Sequence, residues 1–121
     1  MLSPPRASVL ICTHNRARDL ALCCAALGGL DAPPESWEVV VVDNASTDDT
    51  PEVAEAWAAR LEGRLRGVEG TGALGLSAAR NRAIAEARGE ILAFLDDDAL
   101  PEPGWLSALV SVLERPGAMA A

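Results

Sequence analysis

A chain of 121 residues forms one domain at most, 1–121, and half of its residues are hydrophobic, enough to build a core. A net charge of −8 with no Lys argues against a nucleic-acid partner, because phosphate backbones are held by clustered basic side chains. No apolar run approaches the roughly 20 residues of a membrane helix and the first residues do not open a secretion signal, so the expected location is the cytoplasm, with a peripheral place at the inner membrane face as the alternative.

Ala7 to Cys12 is a short apolar run with β-branched members and predicts a first strand, followed by the polar loop Thr13-His14-Asn15-Arg16. From Arg18 to about Leu30, Leu20, Leu22, Cys23, Ala26, Leu27 and Leu30 recur at helical spacing, and Asp31-Ala32-Pro33-Pro34 stops the helix. Cys12, Cys23 and Cys24 cannot all pair within the chain and show no Cys-x-x-Cys spacing, so they read as small buried hydrophobes in a reducing compartment. Trp37 to Val42 contains four consecutive valines, the pattern of a central parallel strand covered on both faces, and ends in Asp43-Asn44. The loop Ala45 to Asp49 is rich in capping side chains. Thr50 as N-cap and Pro51 at the first helical position start a helix to about Leu61, with Val53, Ala54, Trp57, Ala58 and Leu61 on one side.

Leu65 to Glu69 is short and contains a glycine, which predicts an edge strand. The glycine-rich loop Gly70 to Gly75 leads into a helix from Leu76 to Arg88, with Ala79, Ala83, Ile84 and Ala87 inward and Gly89 as its stop. Ile91 to Leu95 reads as a strand buried on both faces, delivering Asp96-Asp97-Asp98 to the sheet edge. Trp105 to Glu114 is a fourth helix ended by Pro116-Gly117, and Ala118 to Ala121 opens another apolar strand. Trp37, Trp57 and Trp105 are expected to pack against the sheet.

Alternating strands and helices predict an α/β fold: a mostly parallel, right-handed sheet with helices on both faces. Ligands of such sheets bind beyond the carboxyl ends of the strands, which gathers Thr13 to Arg16, Asp43-Asn44, Gly70 to Gly75 and Asp96 to Asp98 on one rim. In extended chain Asp96 and Asp98 project to one side with Cα atoms roughly 6–7 Å apart, and Asp97 to the other. Two like charges so placed repel unless a hard oxygen-liganding ion, Mg²⁺ or Mn²⁺, lies between them. A solvated acidic loop is the plainer alternative.

Val9 to Arg16 resembles the opening strand and loop of the family 2 glycosyltransferases; Val41 to Asp48 resembles their second motif, Gly75 to Asn81 the third, and Phe94 to Asp98 their Asp-x-Asp signature. Four motifs in the right order make the resemblance specific. It implies a GT-A (Rossmann-like) fold and transfer of a sugar from a UDP-, GDP- or dTDP-linked donor to a hydroxyl of a sugar, lipid-linked or polysaccharide acceptor, with inversion. It further implies that Thr13, Asn15 and Arg16 line the donor site, that Asp43 binds the base, and that Arg80 lies beside base or diphosphate. Asp96 would contact the ribose or the metal's water shell, and Asp98 would ligate the metal. A family member continues well past this length and supplies its acceptor site and carboxylate base there. The chain therefore resembles a domain truncated before its acceptor-binding half, with its base beyond Ala121, an exposed sheet edge open to self-association, and donor binding with little or no turnover.

Two other readings stand beside it. A non-catalytic nucleotide- or metal-binding module would bind without transfer. A Rossmann NAD-binding domain matches Gly70-x-Gly72-x-x-Gly75, with Asp96 about twenty residues on, but three acids suit a dinucleotide poorly.

Overall fold

The computed structural model describes residues 4–70 and 75–114. Strands β1 (Ala7–Thr13), β2 (Trp37–Asp43), β3 (Leu65–Glu69) and β4 (Ile91–Phe94) form one sheet in the order β3-β2-β1-β4, with every neighbouring pair parallel. Parallel neighbours need long crossovers, and helices α1 (Ala17–Leu27), α2 (Thr50–Arg60) and α3 (Leu76–Glu86) provide them; α4 (Trp105–Leu113) follows β4. A single 3₁₀ turn, Pro34–Ser36, precedes β2.

The four valines of β2 are fully buried because both faces of the strand are covered. Val39 and Val41 pack with Val9 and Ile11 under α1, α2 and α4, while Val40 and Val42 pack with Leu10 under Ala79 and Ala83 of α3. Each such side chain contributes about 1.5–3 kcal/mol of burial. β3 is an edge strand, as its glycine predicts.

Several expectations are corrected. β4, expected to be buried on both faces, leaves Phe94 44% exposed and lies at the other edge of the described sheet. An apolar run alone does not distinguish a central strand from an edge one. Leu22 and Ile84, expected inward, are also exposed, and Cys24 takes the buried place on α1. Cys23 and Cys24 are buried but Cys12 only half so. Helix α3 ends at Glu86, so Gly89 is not its stop. Its role is close approach: a Cβ there would sit 2.7 Å from the carbonyl carbon of Ala7. Trp37 is buried, and Trp57 and Trp105 pack partly against the same core. The loop 71–74, the stop at Pro116-Gly117 and the strand expected from Ala118 lie outside the described residues.

The end of the sheet remote from the acidic turn holds a buried polar network. Ser8 Oγ donates to Glu38 Oε2 at 2.6 Å, Arg88 N donates to the same oxygen at 2.8 Å, and Arg66 pairs with Oε1 and with the carbonyl of Glu86. Gly89 N completes it by donating to Ser8 Oγ. Burial pushes the Glu38 carboxyl up, but the hydrogen bonds from Arg66, Ser8 and Arg88 N outweigh burial and hold it below its ordinary value. This network ties the start of β1 to β2, β3 and the segment after α3.

Candidate functional site

β1 and β2 run in register to their last residues, with Thr13 opposite Asp43, so the loops after them leave the sheet side by side. Asn44 N donates to Thr13 O at 2.9 Å and Gly70 N to Asp43 O at 2.8 Å, stitching the ends of β1, β2 and β3 into one rim. A Cβ on Gly70 would lie 2.8 Å from Asn44 Oδ1 and 3.2 Å from Asn44 Cα, so a larger residue there would displace the Asn44 side chain. Asp43 Oδ1 accepts from Ser46 N at 3.2 Å, an Asx-type turn that fixes the carboxylate against its own loop.

The acids do not continue β4 in extended form. Leu95 N still donates to Leu10 O, but the chain then turns, with Ala99 N donating to Asp96 O at 3.0 Å. Strand alternation therefore does not orient Asp96, Asp97 and Asp98. Asp97 is the one that faces inward: its Oδ2 accepts from Thr13 Oγ1 at 2.9 Å and lies 3.7 Å from Arg16 Nε. Burial raises its pKa first, with Asp98 and Asp19 adding to the rise, while the Thr13 hydroxyl and Arg16 oppose it. Cys23 Sγ, on α1, reaches Asp96 O at 3.8 Å and so backs the turn.

Asp96 and Asp98 are exposed, and their carboxylates make no hydrogen bond or ion pair among the described residues. Also among the described residues, no group of three or more His, Cys, Asp or Glu side chains is arranged to hold a metal ion. Two exposed carboxylates are oxygen ligands of the type that hard cations such as Mg²⁺ and Mn²⁺ accept.

Loop residues sort by what they touch. Arg16 lies between Asp97 and Asp19, at 3.7 and 3.4 Å. Asn15 is turned into the β2–α2 loop, where its Oδ1 accepts from Thr47 N at 2.7 Å. Asp48 accepts from Thr50 N and Oγ1 and, more weakly, from Ala17 N, so one carboxylate caps the starts of α1 and α2. These hydrogen bonds, Thr50's first, hold its pKa low. Thr50 itself is not the N-cap expected for α2; its buried hydroxyl accepts from Arg16 N at 3.1 Å. Arg80, on α3, is exposed and lies with its guanidinium 5.5 Å from the Phe94 ring centroid. Burial raises the thiol pKa of Cys12, the charge of Arg80 lowers it and that of Asp97 raises it.

The structure thus brings Thr13, Arg16 and Asp97 into contact, sets Asp43 beside them, and leaves Asp96 and Asp98 open at the turn. Asp97 was missed in the sequence, and the missing signal was the turn itself.

Residues 8–121 match the family described as glycosyl transferase family 2. The chain is 36% identical over 113 residues to glycosyltransferase AglE of Haloferax volcanii, covering 93% of this chain and 37% of that protein. It is 34% identical over 91 residues to the poly(ribitol-phosphate) beta-N-acetylglucosaminyltransferase TarS of Staphylococcus aureus, covering 75% of this chain and 16% of that protein. Among solved structures, the mannosyltransferase PcManGT from Pyrobaculum calidifontis, in complex with GDP-Man and Mn²⁺, superimposes with a TM-score of 0.86 at 37% identity over 94% of this chain and 34% of its own. TarS in complex with UDP-GlcNAc superimposes with a TM-score of 0.76 at 28% identity over 90% of this chain. The chain therefore spans about a third of these structures' length, and its parallel sheet is that of the GT-A glycosyltransferases. With the family model matched over residues 8–121, the chain belongs to glycosyl transferase family 2.

Proposed function

We propose that this chain is the donor-binding part of a metal-dependent glycosyltransferase. The observation that carries this reading is the pair of unspent carboxylates, Asp96 and Asp98, on a turn that Asp97 fixes to the Thr13 and Arg16 loop. Similarity to structures holding GDP-Man with Mn²⁺ and UDP-GlcNAc supports it.

Asp43 takes the base, using the carboxylate oxygen that its loop does not engage. Thr13 and Arg16 line the nucleotide pocket, Arg80 faces the base or diphosphate, Asp96 serves the ribose or the metal's water shell, and Asp98 ligates the metal. A bound divalent cation supplies charge stabilisation for the diphosphate leaving group. The rim is strongly acidic, so a diphosphate binds there only with that charge present.

In the whole protein, the acceptor hydroxyl oxygen bonds to the anomeric carbon as the bond to the diphosphate oxygen breaks, with inversion. The hydroxyl proton goes to a carboxylate base, a role assigned to no described residue. On this reading the chain by itself binds donor with little or no turnover. A module that binds nucleotide or metal and never transfers is the second reading, and transfer by a longer protein containing this chain excludes it.

A thermal-shift series with UDP, GDP and dTDP, each with and without Mn²⁺, tests the proposal. A ligand present at about 100 times its Kd stabilises by about 2.7 kcal/mol. The expected result is a rise in Tm with one nucleotide and only with Mn²⁺; unchanged melting with all three overturns it.

A further inference from the structure

The family resemblance places Asn15 among donor-site residues, but its polar atoms are committed to the protein. Its Oδ1 accepts from Thr47 N at 2.7 Å, Asp48 N at 3.3 Å and Thr47 Oγ1 at 3.4 Å, and its own N donates to Ser46 Oγ at 2.8 Å. The carboxamide orientation follows, since backbone N–H groups must meet oxygen, and Nδ2 is then left facing His14 Nε2 at 3.3 Å. His14 Nδ1 lies 2.7 Å from Asn44 O, a carbonyl that can only accept, so the proton of the neutral ring sits on Nδ1 and Nε2 accepts from Asn15.

A relay therefore runs from the Thr47 and Asp48 amides through Asn15 and His14 to the Asn44 carbonyl, enclosing the turn that holds Asp43. Inside it Ala45 sits at φ 59°, a left-handed conformation that is unfavourable for an ordinary side chain. Such a conformation persists where its surroundings over-determine it. Asn15 itself is at φ 51°, which asparagine tolerates well.

We infer that Asn15 is a positioning residue: through His14 and the Ser46 to Asp48 backbone it fixes the Asp43 carboxylate for the nucleoside base, and it does not touch the donor. The inference rests on the donor-site reading for its functional meaning.

Two variants of this chain test it. Asn15→Gly keeps the left-handed backbone at no steric cost and removes the carboxamide; Asn15→Asp restores an acceptor for Thr47 N and Asp48 N. Amide hydrogen exchange is the first readout and needs no ligand. We expect Asn15→Gly to speed exchange at Ser46, Thr47 and Asp48 about tenfold or more with the Leu10 and Val40 amides unaffected, and Asn15→Asp to restore protection. Unchanged exchange at Ser46, the amide bound to Asp43, overturns the inference. The second readout is Mn²⁺-dependent binding of whichever nucleotide the wild type takes, in a cycle with Asp43→Ala. Asn15→Gly should weaken binding about tenfold in the wild type and less than twofold in the Asp43→Ala background. A full tenfold loss in both backgrounds overturns it. If the wild type binds no nucleotide, the donor reading fails, while exchange still decides whether Asn15 fixes the Asp43 turn.

Discussion

The Thr13 hydroxyl, at the last residue of β1, donates to Asp97 Oδ2 at 2.9 Å across 84 positions of sequence. Thr13 is only 4% exposed, so this bond joins the sheet's carboxyl edge to the acidic turn inside the protein. Removing the donor leaves a partly buried carboxylate short of a partner, a loss of about 1–3 kcal/mol. Thr13→Val, which keeps the shape, should destabilise by that amount in urea denaturation, and Thr13→Ser should recover most of it. Equal stability of Val and Ser variants would show that the hydroxyl carries no weight.

Glu38 gives the chain a pH dependence. Its carboxyl is held below its ordinary value of 4.5 in the folded protein, so the unfolded chain binds its proton first as pH falls. The stability it contributes is complete above about pH 4.5 and is lost progressively as pH drops through the lower folded value. Glu38→Gln, which leaves Arg66 without its carboxylate, should cost about 3 kcal/mol near neutral pH. The gap between wild type and variant should narrow as pH falls below 4.5 in denaturant titrations; a gap that stays constant would place the stabilisation elsewhere.

Gly89 meets the backbone of β1 and not a flexible side chain, with a Cβ placed 2.7 Å from Ala7 C and 2.8 Å from Ser8 N. Gly89→Ala should therefore cost about 1–3 kcal/mol through forced backbone movement, even though alanine is ordinarily the easier residue to order. A stabilised Ala variant in thermal melts would refute the close approach.

At the β4 edge, Phe94 presents a large apolar side chain beside a strand that pairs on one side only among the described residues. Exposed edges of this kind template association between chains. Sedimentation velocity should show concentration-dependent association that Phe94→Lys reduces, and a monomer at all concentrations would rule it out.

Much of this architecture was legible in the sequence. The valine run Val39 to Val42 could bury both faces only in a central parallel strand, and the alternation of strands with amphipathic helices then placed the polar loops on one rim. The acidic turn was legible as composition but not as geometry. Its turn begins after the last ladder bond at Leu95, and no local residue marks Asp97 as the acid that folds inward. Thr13 and Asp97 are too far apart in sequence for any spacing argument to pair them. The same holds for Ser8, Glu38 and Arg66: a lone Glu in a strand buried on both faces requires partners, and topology alone supplies them. The β4 edge position escaped because order in a sheet is not written in an apolar run.

Calorimetric titration of UDP and of GDP into this chain, with Mn²⁺ and then with EDTA, and repeated on Asp98→Ala, tests the donor-site account most directly. Asp98 is exposed and unpaired among the described residues, so the substitution should leave stability within about 0.5 kcal/mol. The account predicts binding of one nucleotide that requires Mn²⁺, vanishes with EDTA and is lost in Asp98→Ala. Nucleotide binding of equal affinity in EDTA, or in the folded Asp98→Ala variant, would contradict it.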